Sequence, residues 1–165
     1  MTLYPYIGPA AIRERTHGEP AGTSIVDRDT LAQWLRDNPE TARSGATFVV
    51  MPDGVLRFAP QRSEHVACAS TAPVLTAGEL TIERDAKGRF TATSVTNQST
   101  GYAPEPTSYD AISGALDRLG VARPDTWTAA FVFRRCPRCA QLALIKELVY
   151  ECAVCGEALP IERNL

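Results

Sequence analysis

Residues 136 to 156 read CPRCAQLALIKELVYECAVCG, two Cys-x-x-Cys pairs separated by twelve residues. No other stretch restricts the chain so tightly. A Cys-x-x-Cys turn offers two thiolates from one tight loop, and two such turns can close a tetrahedron around one soft ion. Cys136, Cys139, Cys152 and Cys155 are therefore expected to bind Zn²⁺. Pro137 inside the first turn and Gly156 after the second suit the restricted and permissive backbone that such turns need. Between the pairs, QLALIKE and LVYE are expected to form a hairpin turning near residues 146–147. A catalytic zinc keeps one position open, whereas four cysteines fill the shell. His17 and His65 are both distant in sequence, so the ion is read as structural. A segment of ~30 residues cannot bury enough surface to fold alone. Metal binding of order 10–16 kcal/mol would supply most of its folding free energy.

The pattern of the four cysteines resembles the zinc-ribbon family, whose usual form is CPxCG paired with CxxCG. The resemblance covers about the last 30 residues. This chain has Ala140 where the family often has glycine.

The remaining cysteine, Cys68, leaves no partner for a disulfide framework, and the N-terminus shows no apolar leader pattern. The expected location is the cytoplasm. The longest uncharged apolar run, ATFVVM (46–51), is far short of the ~20 residues that cross a bilayer, so no membrane segment is expected. With 17 basic and 19 acidic residues, the formal charge of −2 argues against a large electrostatic footprint for nucleic acid. Heavy use of arginine over lysine, with abundant alanine, is read as the composition of a GC-rich bacterial genome.

Three segments are expected: a helical or irregular stretch over 1–45, a core over 46–134, and the ribbon over 135–165. PAAIRERTHG reads as a short helix, and DRDTLAQWLRDNP as a clearer one with Asp27 or Asp29 capping it and Leu31, Trp34 and Leu35 on one face. ATFVVMPDGVLRFAP reads as a hairpin turning at Asp53-Gly54. EHVACAS (64–70), VLTAGELTIE (74–83), RFTATSVTN (89–97) and WTAAFVFR (127–134) are further strand candidates. TSYDAISGALDRLG reads as a helix capped by Thr107 or Ser108, with Tyr109, Ile112, Leu116 and Leu119 inward and Gly120 at its end. Runs of strands with segregated helices indicate an α+β fold: a mainly antiparallel sheet with two or three helices, followed by the zinc ribbon.

A second candidate surface spans residues 63 to 106. Its expected site residues are His65, Glu79, Asn97, Ser99 and Tyr102, with Cys68, Gln98 and Glu105 nearby. His65 could act as a base with Glu79 as partner, and Asn97 or Ser99 could donate to a developing anion. In a strand, His65 and Cys68 would face opposite ways, which argues against a Cys–His nucleophile pair. Each residue also has a structural reading: a hydrogen-bonded histidine, a small core cysteine, and a turn built from Asn97, Ser99, Thr100 and Gly101.

The run SEH…PVLTAGEL…VTNQSTGYAPEP, followed by a helix and CPRC…CAVCG, resembles an uncharacterised family of small, mainly actinobacterial proteins from about residue 46 onward. Part of it is similar to the His-Ser-Ser-Phe…Ala-Gly…Ser-Gly-His-Tyr-x-Pro segment of plant IQ-motif calmodulin-binding proteins. His65, Ala77-Gly78, Ser99, Tyr102 and Pro104 match; Val66, Ala67 and Gly101 depart from it. The resemblance implies a shared fold and names no substrate.

Arg134, Arg135 and Arg138 cluster at the first cysteine pair. They are expected to offset the anionic metal cluster and donate to its sulfurs. From residue 127 on, five basic residues face four acidic ones, and four thiolates with Zn²⁺ would bring this segment to about −1. Neither GxGxxG, a P-loop nor GxSxG occurs. The leading expectation is a non-enzymatic protein acting through protein contact. The first alternative is an enzyme or small-ligand binder using the His65, Glu79, Asn97, Ser99 and Tyr102 surface. The second is a nucleic-acid-binding ribbon protein.

Overall fold

ATFVV (46–50) is apolar or threonine at every position, the pattern of a strand covered on both faces. In the computed structural model, which describes residues 1–165 with Ala42 by its backbone alone, all five of these residues are buried. The elements run α1 (Ala10–Arg15), β1 (Thr23–Ile25), α2 (Arg28–Asp37), α3 (Thr41–Ser44), β2 (Ala46–Val50), β3 (Leu56–Pro60), α4 (His65–Cys68), β4 (Thr76–Arg84), β5 (Phe90–Thr96), α5 (Tyr109–Arg118), β6 (Phe133–Arg135) and β7 (Leu142–Leu144). The first five strands form one antiparallel sheet in the order β1-β3-β2-β4-β5, with β2 at its centre. The last two form a separate pair. The fold is α+β with a mainly antiparallel sheet and a C-terminal cysteine cluster.

The hairpin turns where its sequence indicates. Gly54 takes a φ of 82°, and the Val55 N–H donates to the Asp53 carboxylate at 3.0 Å. One sheet face carries Phe48, Val50, Leu56, Phe58, Leu80 and Ile82 and packs under Leu31 and Trp34 of α2 and Ile112 and Leu116 of α5. Each such fully buried side chain contributes about 1.5–3 kcal/mol. Trp34 meets Phe58 edge-on at 5.1 Å. The start of α2 is set by Asp27, whose carboxylate accepts from the Thr30 N–H at 2.8 Å while the Thr30 hydroxyl accepts from the Asp27 N–H at 3.1 Å. The opposite face carries Val49, Met51, Ala59 and Ala77 under Val66, Cys68, Tyr4 and Tyr102.

Residues 64–70 are a correction: they form the single turn α4 instead of a strand, with the Ala67 and Cys68 N–H groups donating to the Glu64 carbonyl. Connectivity explains this. β3 and β4 both pair antiparallel with β2, so they run parallel to each other with β2 between them. The chain joining them must cross the face of β2, and both sides of β3 and of β4 are already paired. Val66, Ala67 and Cys68 are accordingly buried in succession, which breaks the two-residue period of a strand.

WTAAFVFR is also corrected, since only Phe133–Arg135 forms a strand. Residues 127–132 run beside β5, touching it through the Thr128 N–H to Val95 carbonyl bond at 2.9 Å and one bridge at Thr96–Ala129. The far part of that edge is already occupied by Ala122, which exchanges bonds with Phe90 and Ala92 at 3.0 and 2.7 Å. Nor does Thr107 or Ser108 cap α5 by its side chain. A 3-10 turn over Pro106–Ser108 runs directly into α5, its Tyr109 N–H already bonded to the Pro106 carbonyl, and the Ser108 hydroxyl pairs with that of Thr76 at 2.9 Å.

At Gly78 the backbone of β4 lies close against the end of β5: a Cβ there would lie 1.8 Å from the Thr96 carbonyl oxygen. Backbone cannot give way at that point without breaking the pairing. Gly78→Ala is expected to cost about 3 kcal/mol in denaturant unfolding, whereas a loss below about 1 kcal/mol would mean that β5 can slide.

Candidate functional site

The four C-terminal cysteines converge. Their sulfurs all lie within 4.8 Å of one another, with Cys136–Cys155 at 3.5 Å and Cys139–Cys152 at 3.6 Å. Four sulfurs bonded at ~2.3 Å to one tetrahedral ion would stand about 3.8 Å apart, so the spacing fits a metal centre. All four are free thiols, and they are positioned to bind a metal ion.

The two knuckles share one backbone plan. In the first, Cys136 N–H bonds the Gln141 carbonyl at 2.9 Å and Ala140 N–H bonds the Cys136 carbonyl at 2.9 Å. In the second, Cys152 pairs with Glu157 and Gly156 with Cys152, both at 2.8 Å. Each knuckle is thus the turn of its own short hairpin. This corrects the expected pairing of QLALIKE with LVYE: Leu142–Leu144 pairs with Phe133–Arg135, and Glu151 pairs with Ala158. The expected turn does form, closed by the Val149 N–H to Lys146 carbonyl bond at 2.9 Å.

Electrostatics within the cluster call for a cation. Burial works to raise the Cys136 thiol, but the N–H groups of Cys139 and Arg138 and the thiols of Cys155 and Cys139 donate to its sulfur and bring it down to about 7. The Glu157 N–H favours the Cys155 thiolate, yet burial and the crowding of Cys136, Cys139 and Cys152 push it up to about 12. Four thiols this close cannot all ionise without positive charge between them.

Arg134 and Arg135 do not serve the sulfurs, which corrects their expected role. The Arg134 guanidinium is 4% exposed and donates to both carboxylate oxygens of Glu105, at 2.7 and 3.1 Å, to the Phe133 carbonyl at 2.7 Å, and twice to the Ile161 carbonyl, at 3.0 and 2.7 Å. Arg135 donates to the Ala140 carbonyl at 3.0 Å, and its backbone exchanges two bonds with the Asn164 amide. These contacts fasten the ribbon and the 159–165 segment to the core. Asn97 belongs to the same junction. Its side chain accepts from the Phe131 N–H at 2.7 Å and donates to the Phe131 and Pro104 carbonyls, both at 2.8 Å.

The second surface is divided by the fold. His65, Glu79 and Ser99 line one cavity of about 490 Å³, while Asn97 and Tyr102 do not line it. Tyr102 is fully buried and donates to the Ala72 carbonyl at 2.8 Å. His65 pairs through Nε2 with the Gly78 carbonyl at 3.0 Å, and desolvation lowers its pKa. Glu79 accepts from the Thr47 hydroxyl at 3.2 Å, and burial raises its pKa. Ser99 accepts from the Tyr102 N–H at 3.3 Å. Among the described residues no hydrogen bond joins His65 to Glu79 or Ser99. Cys68 and His65 lie on one helical turn, not on opposite strand faces, but Cys68 points its thiol to the Arg57 carbonyl, and burial pushes that thiol up to about 12.

Sequence reading missed Thr47, Thr81, Ser94 and Thr96, which share this sheet face with Glu79; hydroxyls at alternate strand positions were the available signal. It also missed the pairing of Arg134 with Glu105, 29 residues apart, for which no local signal exists. In comparisons with protein-family models, curated proteins and solved structures, none matched this chain.

Two outcomes follow from this geometry. Ala140 holds a φ of 60° where its counterpart is Gly156 at 73°, so Ala140→Gly is expected to stabilise the metal-loaded ribbon by about 1 kcal/mol in urea unfolding. Arg134→Met leaves Glu105 unpaired and is expected to cost about 3–5 kcal/mol, with most of the loss recovered in the Arg134→Met/Glu105→Leu double variant.

Proposed function

We propose that the four cysteines hold a structural Zn²⁺ and that the protein acts by contact with a partner protein through its ribbon, without catalysing a reaction. In this reading it is a cytoplasmic bacterial protein of the small, mainly actinobacterial family that its sequence resembles. Zinc is the ion that a closed set of four thiolates selects in a reducing compartment, and a full shell leaves no position for water or substrate.

One observation carries the contact reading. At the hairpin tip Leu148 is 83% exposed and Val149 57% exposed, while Glu147 and Leu148 both hold positive φ, 51° and 60°. Two large apolar side chains are held in water by a turn that strains non-glycine backbone. Neither the strain nor the exposure serves the core, which supports a role in contact. Charge supports a protein over a nucleic acid. Arg134 is buried and engaged with Glu105, and Arg135 is bound to Ala140, leaving Arg138 as the exposed arginine of the cluster, with Lys146 exposed at the hairpin turn. Glu147, Glu151 and Glu162 are exposed on the same ribbon. The absence of any bonded chain linking His65, Glu79 and Ser99 among the described residues, and the buried Cys68 thiol, favour binding over nucleophilic chemistry.

Native mass spectrometry of the purified protein is expected to show one zinc per chain, lost on Cys152→Ser together with ribbon folding. A chain that keeps its metal without that cysteine would overturn the assignment. A photo-crosslinking residue at position 149 is expected to form a discrete protein adduct in cells, which Leu148→Asp abolishes while thermal stability changes by less than about 0.5 kcal/mol. Adducts with nucleic acid alone, weakening steeply with salt, would replace this reading with the phosphate-binding one.

A further inference from the structure

The sheet face beneath α4 changes character along its length. At one end Val49 and Ala77 pack under α4 and Tyr102. At the other, the same face carries Thr47, Glu79, Thr81, Ser94 and Thr96, in direct register across β2, β4 and β5: Thr47 opposite Glu79, Glu79 opposite Thr96, Thr81 opposite Ser94. Glu79, Thr81, Ser94 and Thr96 line the cavity of about 490 Å³, whose walls come from residues 61–65 and 98–100. That volume lies within the ~300–1,000 Å³ range of small-molecule sites.

The lining has a definite chemistry. Hydroxyls and side-chain amides dominate it, and the one aliphatic residue, Leu80, buries its side chain in the core. Glu79 is its only acid. That carboxylate has a single neutral partner, the Thr47 hydroxyl at 3.2 Å, and none of the four ion pairs among the described residues includes it. A part-buried carboxylate without a counter-charge favours a cation beside it. Arg62, the one arginine of the lining, is solvent-exposed.

We propose that this cavity binds a small polyhydroxylated amine of the amino-sugar type, its ammonium group on Glu79 and its hydroxyls against Thr81, Ser94, Gln98 and Thr100. The amine is specified by a carboxylate without a counter-charge, and the hydroxyls by walls that offer many hydrogen-bonding groups and are more polar than apolar. An anionic ligand of the same shape would face repulsion from Glu79. The site is separate from the ribbon, so it stands or falls independently of the contact reading.

The test is a titration of the full-length, metal-loaded protein followed by amide chemical shifts, with glucosamine, glucose and glucuronate as probes of one shape and three charges. Glucosamine is expected to give saturable shifts at Glu79, Thr81 and Ser99. Loss of a charge-assisted hydrogen bond should make glucose about tenfold weaker, and glucuronate weaker still. Glu79→Gln should reduce glucosamine to the level of glucose while leaving the remaining spectrum, and hence the fold, unchanged. Thr81→Val serves as a second variant that lowers affinity for both neutral and cationic probes. The proposal is overturned by an absence of saturable shifts with glucosamine, by glucuronate binding as tightly, or by a Glu79→Gln variant that binds glucosamine as well as the parent does.

Discussion

One guanidinium joins the C-terminal ribbon to the rest of the molecule. All five N–H donors of Arg134 are satisfied, by Glu105 of the core, Phe133 of its own strand, and Ile161 of the returning tail. Removing such a charge from water is costly, and it is tolerated only where planar, bidentate partners wait in place. That condition makes the contact directional. Only one orientation of the ribbon brings a carboxylate and two carbonyls around the guanidinium, and a lysine could not reproduce the pattern.

Asn97 adds to the same directionality by gripping Phe131 through both its N–H and its carbonyl. The chain entering the first knuckle is therefore tied to the core by contacts that do not involve the cysteines. The ribbon is an extension of the core, and its hairpin tip is presented at a set angle. Such a presentation suits a contact surface, because less conformational freedom is lost when a partner docks on a rigid tip.

The cysteines were legible because Cys-x-x-Cys chemistry is local: two short turns carry thiols whose spacing does not depend on the core. Even so, the hairpins around them were misassigned. A knuckle is itself a turn, so each one folds back on its own flanks, and strands pair across it before they pair with each other. Ala140 in the left-handed region shows why glycine is common there in ribbons. The polar surface was legible in part. His65, Glu79 and Ser99 do meet at one cavity, but Asn97 and Tyr102, read from the same loop, turn inward to hold backbone. A sequence offers residue types near a strand end and says nothing of which way each side chain faces once the loop has folded.

The sequence by itself determined the α+β class, the β2–β3 hairpin with its Asp53-Gly54 turn, a helix capped by Asp27 or Asp29, and the four cysteines positioned to bind a metal ion. Each rests on interactions between residues close along the chain: a turn dihedral, a cap hydrogen bond, a hydrophobic period, a Cys-x-x-Cys loop. Only the tertiary structure decided that 64–70 is a helical crossover, that 127–132 is held by scattered backbone and side-chain bonds and not by a ladder, and that Arg134 belongs to Glu105. Those outcomes depend on which sheet edges are already taken and which buried charge lies across the fold, quantities that come into being only when distant segments pack together.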